Sequence, residues 1–287
     1  MTDGLATMSI PQKFIQGKIY RRSDLHKKFG GSRQSGISPS ANFPIIFLFT
    51  GKSGAQFGYN DEWENGVFQY TGEGQEGDME YLRGNLAIKD HLGNGKELHV
   101  FEQQEKAMVK YIGQMVCIGS HFKPGLDKNG KNRRVIIFEL TPLSDLIEHE
   151  PTTAEEKNTI SNLEQSSLAE LRKKAQLDSV SSSTAVERKT QFWKASQAIK
   201  IYAKKRAQGL CEGCGNPAPF VKMNGSPYLE VHHINRLSDG GPDDPLWVSA
   251  ICPNCHRRSH YSKDMGEFNN SLKHIVQKRE NAISKQS

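Results

Sequence analysis

The sequence of 287 residues lacks the long apolar segments that would place it in a membrane. It has no run of 18 apolar residues, so we expect no membrane-spanning helix. The first residues lack a basic segment followed by an apolar one, so we expect no secretory signal. Cysteine is scarce, with five in the chain. These absences favour a protein of a reducing cytosol, and the length suggests about two domains.

Four of the five cysteines form two CxxC pairs, Cys211 with Cys214 and Cys252 with Cys255. Two thiolates at this spacing can reach one tetrahedral Zn²⁺ from a single tight turn. One such pair alone could arise by chance or serve redox chemistry. Two pairs, each beside Gly or Pro turn residues, favour a structural zinc site. The remaining Cys117 is expected to be a small buried hydrophobe.

Histidines are concentrated in and beside the segment between the two cysteine pairs. His232 and His233 are adjacent, and His256 and His260 follow the second pair at a spacing of four. On a helix, that spacing places both imidazoles on one face. A lone histidine is more often a packed or surface residue. Four histidines between and beside two zinc-clamped turns instead indicate a second metal site.

The motifs Leu-Glu-Val-His-His-Ile from Leu229, Asp-Gly-Gly-Pro-Asp from Asp239 and Cys-Pro-Asn-Cys-His-Arg-Arg-Ser-His from Cys252 resemble the HNH (ββα-metal) nuclease family. The zinc-stapled McrA-like branch is the more similar. The resemblance implies that His232, His256 and His260 hold a divalent cation and that His233 is the general base. One departure is Trp247, which occupies the position of the family's middle Asn. Another group, such as a backbone carbonyl, must then hold His233.

Cleavage of a phosphodiester requires an activated water, and a neutral imidazole with a pKa near ~6.5 is a suitable base for it. A single cation on the phosphate supplies Lewis-acid stabilisation. Imidazole ligands favour transition metals in raw affinity, so Mn²⁺, Co²⁺ or Ni²⁺ should support activity at least as well as Mg²⁺.

Residues 18–143 contain short apolar runs separated by Gly-rich or Asn-rich turns, which predicts a mostly β domain. One helix is expected, near Gly84 to His91. This balance favours a small barrel or a strongly curved sheet. The predicted strands are Pro44–Thr50, Val67–Tyr70, Glu97–Phe101, Tyr111–Ile118 and Arg133–Leu140.

Residues 59–79 concentrate aromatics, carboxylates and glycines, a composition that also suits a long solvated hairpin with its aromatics in the core. Their order, Tyr-x-Asp and then Gly-x-Phe-x-Tyr-Thr-Gly-x-Gly, followed by Gly-Asn-x-Ala-Ile from residue 84, resembles the SRA (SET- and RING-associated) domain. Such domains flip a modified cytosine into a pocket. The resemblance implies that Tyr59 and Tyr70 sandwich the base, Asp61 reads its Watson–Crick edge and Thr71 walls the pocket. Trp63 is additional and could line it.

The two resemblances predict an α+β protein of two domains. An SRA/PUA-like curved β-barrel would span residues 1–144 and a zinc-stapled ββα-metal (HNH) domain residues 186–287. Residues 145–185 are expected to be a linker with one helix, which begins at a capping box of Ser161 and Glu164. Residues 187–208 carry seven basic side chains and one acidic one, which indicates a helix that tracks phosphates.

Together these features predict a modification-dependent, type IV-like restriction endonuclease that acts on double-stranded DNA containing 5-methylcytosine or 5-hydroxymethylcytosine. Because one ββα site cuts one strand, we expect a homodimer. Two alternatives remain open. One is a non-cleaving modified-DNA-binding protein with a zinc-scaffold HNH domain. The other is a nuclease for unmodified DNA or RNA.

Overall fold

The structure is a computed structural model that describes residues 14–51, 61–147, 151–175, 184–234 and 245–284. The chain divides into two compact units. One comprises residues 1–145 and 182–189, and the other comprises residues 146–181 and 190–287. None of the helices within the described ranges has the length and hydropathy needed to cross a lipid bilayer.

The first unit contains a mixed eight-stranded sheet. The strands are β1 (Ile19–Arg21), β2 (Ile37–Pro39), β3 (Ile45–Thr50), β4 (Glu62–Glu64), β5 (Val67–Thr71), β6 (Glu97–Gln103), β7 (Met108–Leu126) and β8 (Asn132–Pro142). Their order in the sheet is β2-β3-β6-β7-β8-β5-β4, and β1 pairs with β7. Neighbouring strands are antiparallel except β3 and β6, which are parallel.

All five predicted strands of this unit are present. The sequence Ile-Ile-Phe-Leu-Phe of β3 is buried throughout, because apolar side chains cover both faces of this strand. The helix expected near Gly84 is also present, as α2 (Arg83–Lys89), and α1 (Arg22–Phe29) precedes it. The α+β class is therefore confirmed. Within the described residues the paired strands form an open path, so the curved sheet does not close into the expected barrel.

The remaining helices and strands follow in chain order. They are α3 (Leu143–Ile147), α4 (Ala154–Gln165), α5 (Leu168–Ala175), α6 (Ala185–Ala207), β9 (Glu230–His233), a 3₁₀ turn (Pro245–Trp247), β10 (Val248–Ile251), α7 (Pro253–Tyr261) and α8 (Met265–Ser284). Strands β9 and β10 are antiparallel, and α7 follows directly after β10. The predicted ββα arrangement is thus present.

The helix expected to start at Ser161 is wrong in its boundaries. The capping box belongs to Thr153 and Glu156, which is eight residues earlier than the box we proposed. The helical path breaks at Ser166, whose backbone is extended, and a second reciprocal pair then starts α5. There the Ser167 amide donates to Glu170 over 2.7 Å, and the Glu170 amide donates to the Ser167 hydroxyl over 3.2 Å.

Helices α4 and α5 contribute to the hydrophobic core of the second unit. Leu163, Leu171 and Ala175 belong to one buried cluster with Tyr202 of α6 and Leu272 of α8. Most of the segment that the sequence suggested was a linker, residues 145–185, is therefore part of the second unit and packs in its core.

Candidate metal centres and base cavity

The four cysteines of the two CxxC pairs come together. The sulfur atoms of Cys211, Cys214, Cys252 and Cys255 all lie within 4.8 Å of one another. Four thiolates at this separation are the donor set of a structural tetrahedral zinc site. The donor set therefore fits Zn²⁺.

The turn that carries the first pair is closely packed. Its Gly213 leaves little space for a side chain, because a Cβ there would lie 3.0 Å from the Phe268 ring and 3.2 Å from the Cys255 sulfur. Gly215, which follows the pair, has a φ of +75° that a side chain would strain. The cysteine turn thus packs closely against α7 and α8.

A charged network buried beneath this turn includes Arg206 of α6. Its guanidinium donates to Glu212, which lies between Cys211 and Cys214, and to Glu280 of α8, both over 2.8 Å. Arg206 also donates to the carbonyl oxygen of Val248. The free-energy cost of removing such ions from water is offset only when they are paired and hydrogen-bonded in this way. Arg206 therefore joins α6, the cysteine turn, β10 and α8.

The expected phosphate-tracking surface on α6 is largely absent, because several of its cations bind within the protein. Arg206 is buried, and Arg188 forms an ion pair with Glu139. Lys189 donates to Asp145 over 2.7 Å, and Lys205 donates to the Ser166 carbonyl over 2.7 Å. The charge run therefore reflects intramolecular ion pairs and caps more than a free cationic face.

Three of the four predicted histidines form a second group. Nitrogen atoms of His232, His256 and His260 all lie within 4.8 Å of one another, and the ring centroids are 4.8–5.3 Å apart. Strand β9 supplies His232, and the two residues four apart on α7 supply the others. Three imidazoles at one point fit a divalent transition-metal ion and leave coordination positions for water or substrate.

Asn269 of α8 orients His232. The Asn269 amide nitrogen donates to the Ser259 carbonyl over 3.0 Å, so its oxygen faces Nε2 of His232 at 2.9 Å. If the His232 ring donates from Nε2, the atom left for a metal is Nδ1, which lies 3.3 Å from the Ser259 hydroxyl. Burial lowers the pKa of His232 to about 3, so the ring is neutral at pH 7. The sequence motifs did not identify Asn269.

Glu230 orients His256. Its carboxylate oxygen lies 2.6 Å from Nδ1 of His256, and its other oxygen accepts from the Tyr228 hydroxyl at 3.0 Å. A carboxylate on one ring nitrogen fixes the tautomer and presents the other nitrogen, Nε2, for a metal. Glu230 was part of the quoted motif, but the motif assigned it no role.

His233 lies at the end of β9, where it pairs with Val248 of β10. The following amide, of Ile234, donates to the carbonyl oxygen of Trp247 over 2.8 Å. Residue 247, which is Asn in the HNH family, thus fixes the backbone directly after β9 through its main chain. The Trp247 ring lies beneath the Lys273 ammonium, 4.3 Å away. Residues 235–244, with the Asp239 motif, lie outside the described residues.

The first unit contains a cavity of about 1200 Å³. Asp61, Tyr70 and Thr71, three of the predicted base-binding residues, line it. Tyr59 lies outside the described residues. Trp63 is not among the lining residues, which is contrary to our expectation. It is on the edge strand β4, 51% exposed, and packs on its cross-strand neighbour Phe68.

Asp61 is held at the wall of this cavity by β5. One of its oxygens accepts from the Thr71 amide over 2.8 Å. Burial raises the pKa of Asp61, and hydrogen bonds from the Thr71 amide and from the hydroxyls of Thr50 and Thr71 partly offset this. The Tyr70 hydroxyl lies 3.4 Å from the Phe49 carbonyl oxygen. An aromatic ring and a fixed carboxyl group therefore share one cavity, which suits a planar polar ligand.

Comparison with known protein families gives two matches. A family model described as "ScoMcrA-like, SRA domain" matches residues 16–162, about half of the chain. A second, described as "HNH endonuclease", matches residues 211–262.

Individual relatives match a smaller part of the chain or match it at lower sequence identity. The Type IV methyl-directed restriction enzyme EcoKMcrA of Escherichia coli (strain K12) is 45% identical over 83 residues, which cover 29% of this chain and 30% of that enzyme. Among solved structures, the Type IV phosphorothioation-dependent restriction endonuclease ScoMcrA is 20% identical with a TM-score of 0.37, over 94% of this chain and 64% of that one. The SUVH5 SRA domain with hemi methylated CG DNA is 22% identical with a TM-score of 0.36, over 51% of this chain and 97% of that one.

Proposed function

This chain belongs to the ScoMcrA-like SRA domain family and carries an HNH endonuclease domain, and from this pairing we propose that it is a modification-dependent, type IV-like restriction endonuclease. One part of the chain would recognise a modified base in DNA, and the other would cut the DNA. The observation that carries the proposal is the convergence of His232, His256 and His260 in a chain whose other unit holds a cavity lined by Asp61 and Tyr70.

The reader in this proposal is the cavity of the first unit, within residues 1–144. A cytosine flipped out of the duplex would stack on the Tyr70 ring, with Tyr59 as the second ring. Base–aromatic stacking contributes about 1–3 kcal/mol per base, comparable to the few kcal/mol that unstacking the base costs. Asp61 would accept a hydrogen bond from the N4 amine of cytosine, which thymine lacks. Thr71 would contact the substituent at C5, either methyl or hydroxymethyl.

The nuclease in this proposal is the ββα segment of residues 186–287, supported by α4 and α5. His232, His256 and His260 would hold one divalent cation, either Mg²⁺ or Mn²⁺ or else Co²⁺ or Ni²⁺. When bound, such a cation supplies Lewis-acid stabilisation of charge on the phosphate. His233 would accept a proton from the attacking water as general base. Glu230 and Asn269 keep the rings of His256 and His232 in the tautomers that the site requires.

We propose Zn²⁺ as the structural ion of the four cysteines, because so small a ββα unit has little core of its own. The substrate would be double-stranded DNA. A double-strand break requires two ββα sites or two sequential nicks, which favours a homodimer. An enzyme of this class would act on foreign modified DNA in the cytoplasm of a prokaryotic cell.

A second candidate function is a modified-DNA-binding protein that does not cut. Trp247 in place of the family's Asn is the observation in its favour. The hydrogen bond from the Ile234 amide to the Trp247 carbonyl oxygen weakens the case for this alternative, because it fixes the backbone after His233 without an Asn side chain.

A cleavage assay on one plasmid prepared in three forms tests the proposal. The forms contain unmodified cytosine, 5-methylcytosine or 5-hydroxymethylcytosine, and each is incubated with the full chain in Mg²⁺ or Mn²⁺. We expect cutting of modified forms alone. Equal cutting of all three would contradict modification dependence. Tight binding of a modified form without cutting, or full-rate cutting by His233→Ala, would contradict the nuclease mechanism.

A further inference from the structure

We propose that Arg22 forms an anion-binding subsite inside the base cavity, where it contacts a negatively charged oxygen group of the bound nucleotide. Arg22 begins α1 and lines the same cavity as Asp61 and Tyr70. This inference rests on the proposed function, because it assigns part of the ligand to the reader cavity.

The guanidinium of Arg22 is held in a fixed plane. It lies over the Phe49 ring, 3.7 Å from the ring centroid. One terminal nitrogen, Nη2, donates to the Ser35 carbonyl oxygen over 2.6 Å. Nε lies 3.4 Å from Nε2 of His26, whose Nδ1 faces the Gly30 carbonyl at 3.0 Å. A stacked and doubly anchored guanidinium loses little further entropy when it binds a ligand.

No carboxylate within the described residues forms an ion pair with Arg22. The side-chain hydrogen bonds of Arg22 within those residues use Nε and Nη2, not Nη1. Two other arginines of this protein are neutralised by carboxylates, Arg206 by Glu212 and Glu280, and Arg188 by Glu139. Arg22 is half-buried, and this burial lowers the pKa of its guanidinium. A cation in a cavity with these properties favours an anionic ligand.

The subsite adjoins the predicted base position. The Arg22 guanidinium stacks on the Phe49 ring, and the carbonyl oxygen of Phe49 lies 3.4 Å from the Tyr70 hydroxyl. The next residue, Thr50, hydrogen-bonds the Asp61 carboxyl group. Arg22 and Asp61 therefore flank one short segment of β3. They suit the two ends of a single nucleotide, with the base edge on the acid and an anionic oxygen group on the cation.

Two sources of anionic oxygen are compatible with this chemistry. One is a backbone phosphate that flanks the flipped nucleotide, and the other is a carboxylate at C5 of the base, as in 5-carboxylcytosine. Arginine binds either group through charge-assisted hydrogen bonds, which Nη1 of Arg22 could donate here. A phosphate subsite would contribute to binding of every modified duplex. A carboxylate subsite would contribute only to binding of the carboxylated base.

Binding of fluorescent duplexes by the full-length chain, without added divalent cation, tests the subsite. The duplexes carry cytosine, 5-methylcytosine, 5-carboxylcytosine, or 5-methylcytosine flanked by neutral methylphosphonates. The variants are Arg22→Gln, Arg22→Lys and the control Arg33→Gln, which removes the same charge from a nearby exposed residue outside the cavity lining. Thermal melting checks that each variant is folded. If Arg22→Gln has a clearly lower melting temperature than the unmutated chain, binding by Arg22→Lys is compared instead, because Lys keeps the charge without the planar guanidinium.

If the ligand is phosphate, Arg22→Gln should weaken binding of the 5-methylcytosine duplex about 10-fold or more, and methylphosphonates should add little further loss in that variant. If the ligand is a C5 carboxylate, the unmutated chain should favour 5-carboxylcytosine and Arg22→Gln should lose only that preference. Unchanged binding by both Arg22 variants, or equal losses in Arg22→Gln and Arg33→Gln, would overturn the subsite while leaving the reader intact. Equal binding of modified and unmodified duplexes by the unmutated chain would overturn the proposed function and the subsite together.

Discussion

The Glu230 carboxylate lies 2.6 Å from Nδ1 of His256, and Glu230 precedes His232 by two positions on β9. Side chains two apart on a strand point to the same face. One short strand therefore supplies both a predicted metal ligand and the carboxylate that orients another ligand on α7. This relationship gives a specific role to a residue outside the predicted ligand set.

We expect Glu230→Gln to lower the affinity of the histidine site for Mn²⁺ or Co²⁺ by about 10- to 100-fold, because an amide cannot hold the His256 ring as strongly as a carboxylate. Isothermal titration with Co²⁺ on zinc-loaded protein measures this. Glu267→Gln, at an exposed acid on α8, is the matched control and should bind Co²⁺ as the unmutated chain does. Unchanged Co²⁺ affinity in Glu230→Gln would show that the contact with His256 does not support the site.

Asn269→Ala should also weaken the histidine site, since it removes the acceptor that faces Nε2 of His232 at 2.9 Å. The His232 ring would then be free to rotate or change tautomer. We expect a loss of Co²⁺ affinity and of cleavage rate together, each by about 10-fold or more. Asn270→Ala, which changes the exposed neighbour, serves as the control. Equal behaviour of the two variants would contradict the orienting role.

Loss of one zinc ligand should unfold the ββα segment rather than weaken it slightly. In Cys214→Ser we expect zinc content to fall from about one ion per chain to almost none, because three thiolates bind far less tightly than four. Elemental analysis measures the zinc, and circular dichroism measures the lost helix. Cys117→Ala, at the cysteine outside the group, should retain the zinc. Full zinc content in Cys214→Ser would contradict the four-cysteine site.

Five of the eight strands in the first unit and the two ligand groups could be predicted because their signals are local. Apolar runs such as 45–49 end at turn residues, and the CxxC and His-x-x-x-His spacings each fit one turn or one helix. Glu230 also carried a local signal, since its spacing from His232 places both on one face of a strand. Ser167 and Glu170, which start α5, form a capping box that was equally visible in the sequence.

Contacts between distant residues could not be predicted in this way. Asn269 lies 37 residues beyond His232, on a helix whose packing decides which polar side chain faces the ring. Arg206 counted as one more cation in a basic run, but its partner Glu280 is 74 residues away. Such pairs depend on the assembled core, because composition alone does not distinguish a buried ion pair from a solvated face.

The buried histidine of the first unit gives the last prediction, on stability and pH. Nδ1 of His91 lies 2.8 Å from the Lys96 carbonyl oxygen, and Nε2 accepts from the Cys117 amide at 3.1 Å, so the ring is neutral. Burial lowers the pKa of His91 to about 4. An unfolded histidine titrates near ~6.5. As the pH falls below ~6.5, the unfolded state therefore takes up the proton first, and stability is lost until the folded pKa is reached.

By this linkage, His91 should contribute a loss of about 2 kcal/mol in unfolding free energy between pH 7.5 and pH 5, approaching about 3 kcal/mol near pH 4. Urea unfolding at both pH values measures it. His91→Gln should be less stable at pH 7.5 and should lose less stability on acidification than the unmutated chain. His274→Gln, at an exposed histidine of α8, should follow the unmutated chain. The same loss in His91→Gln as in the unmutated chain would mean that His91 is not the group that takes up the proton.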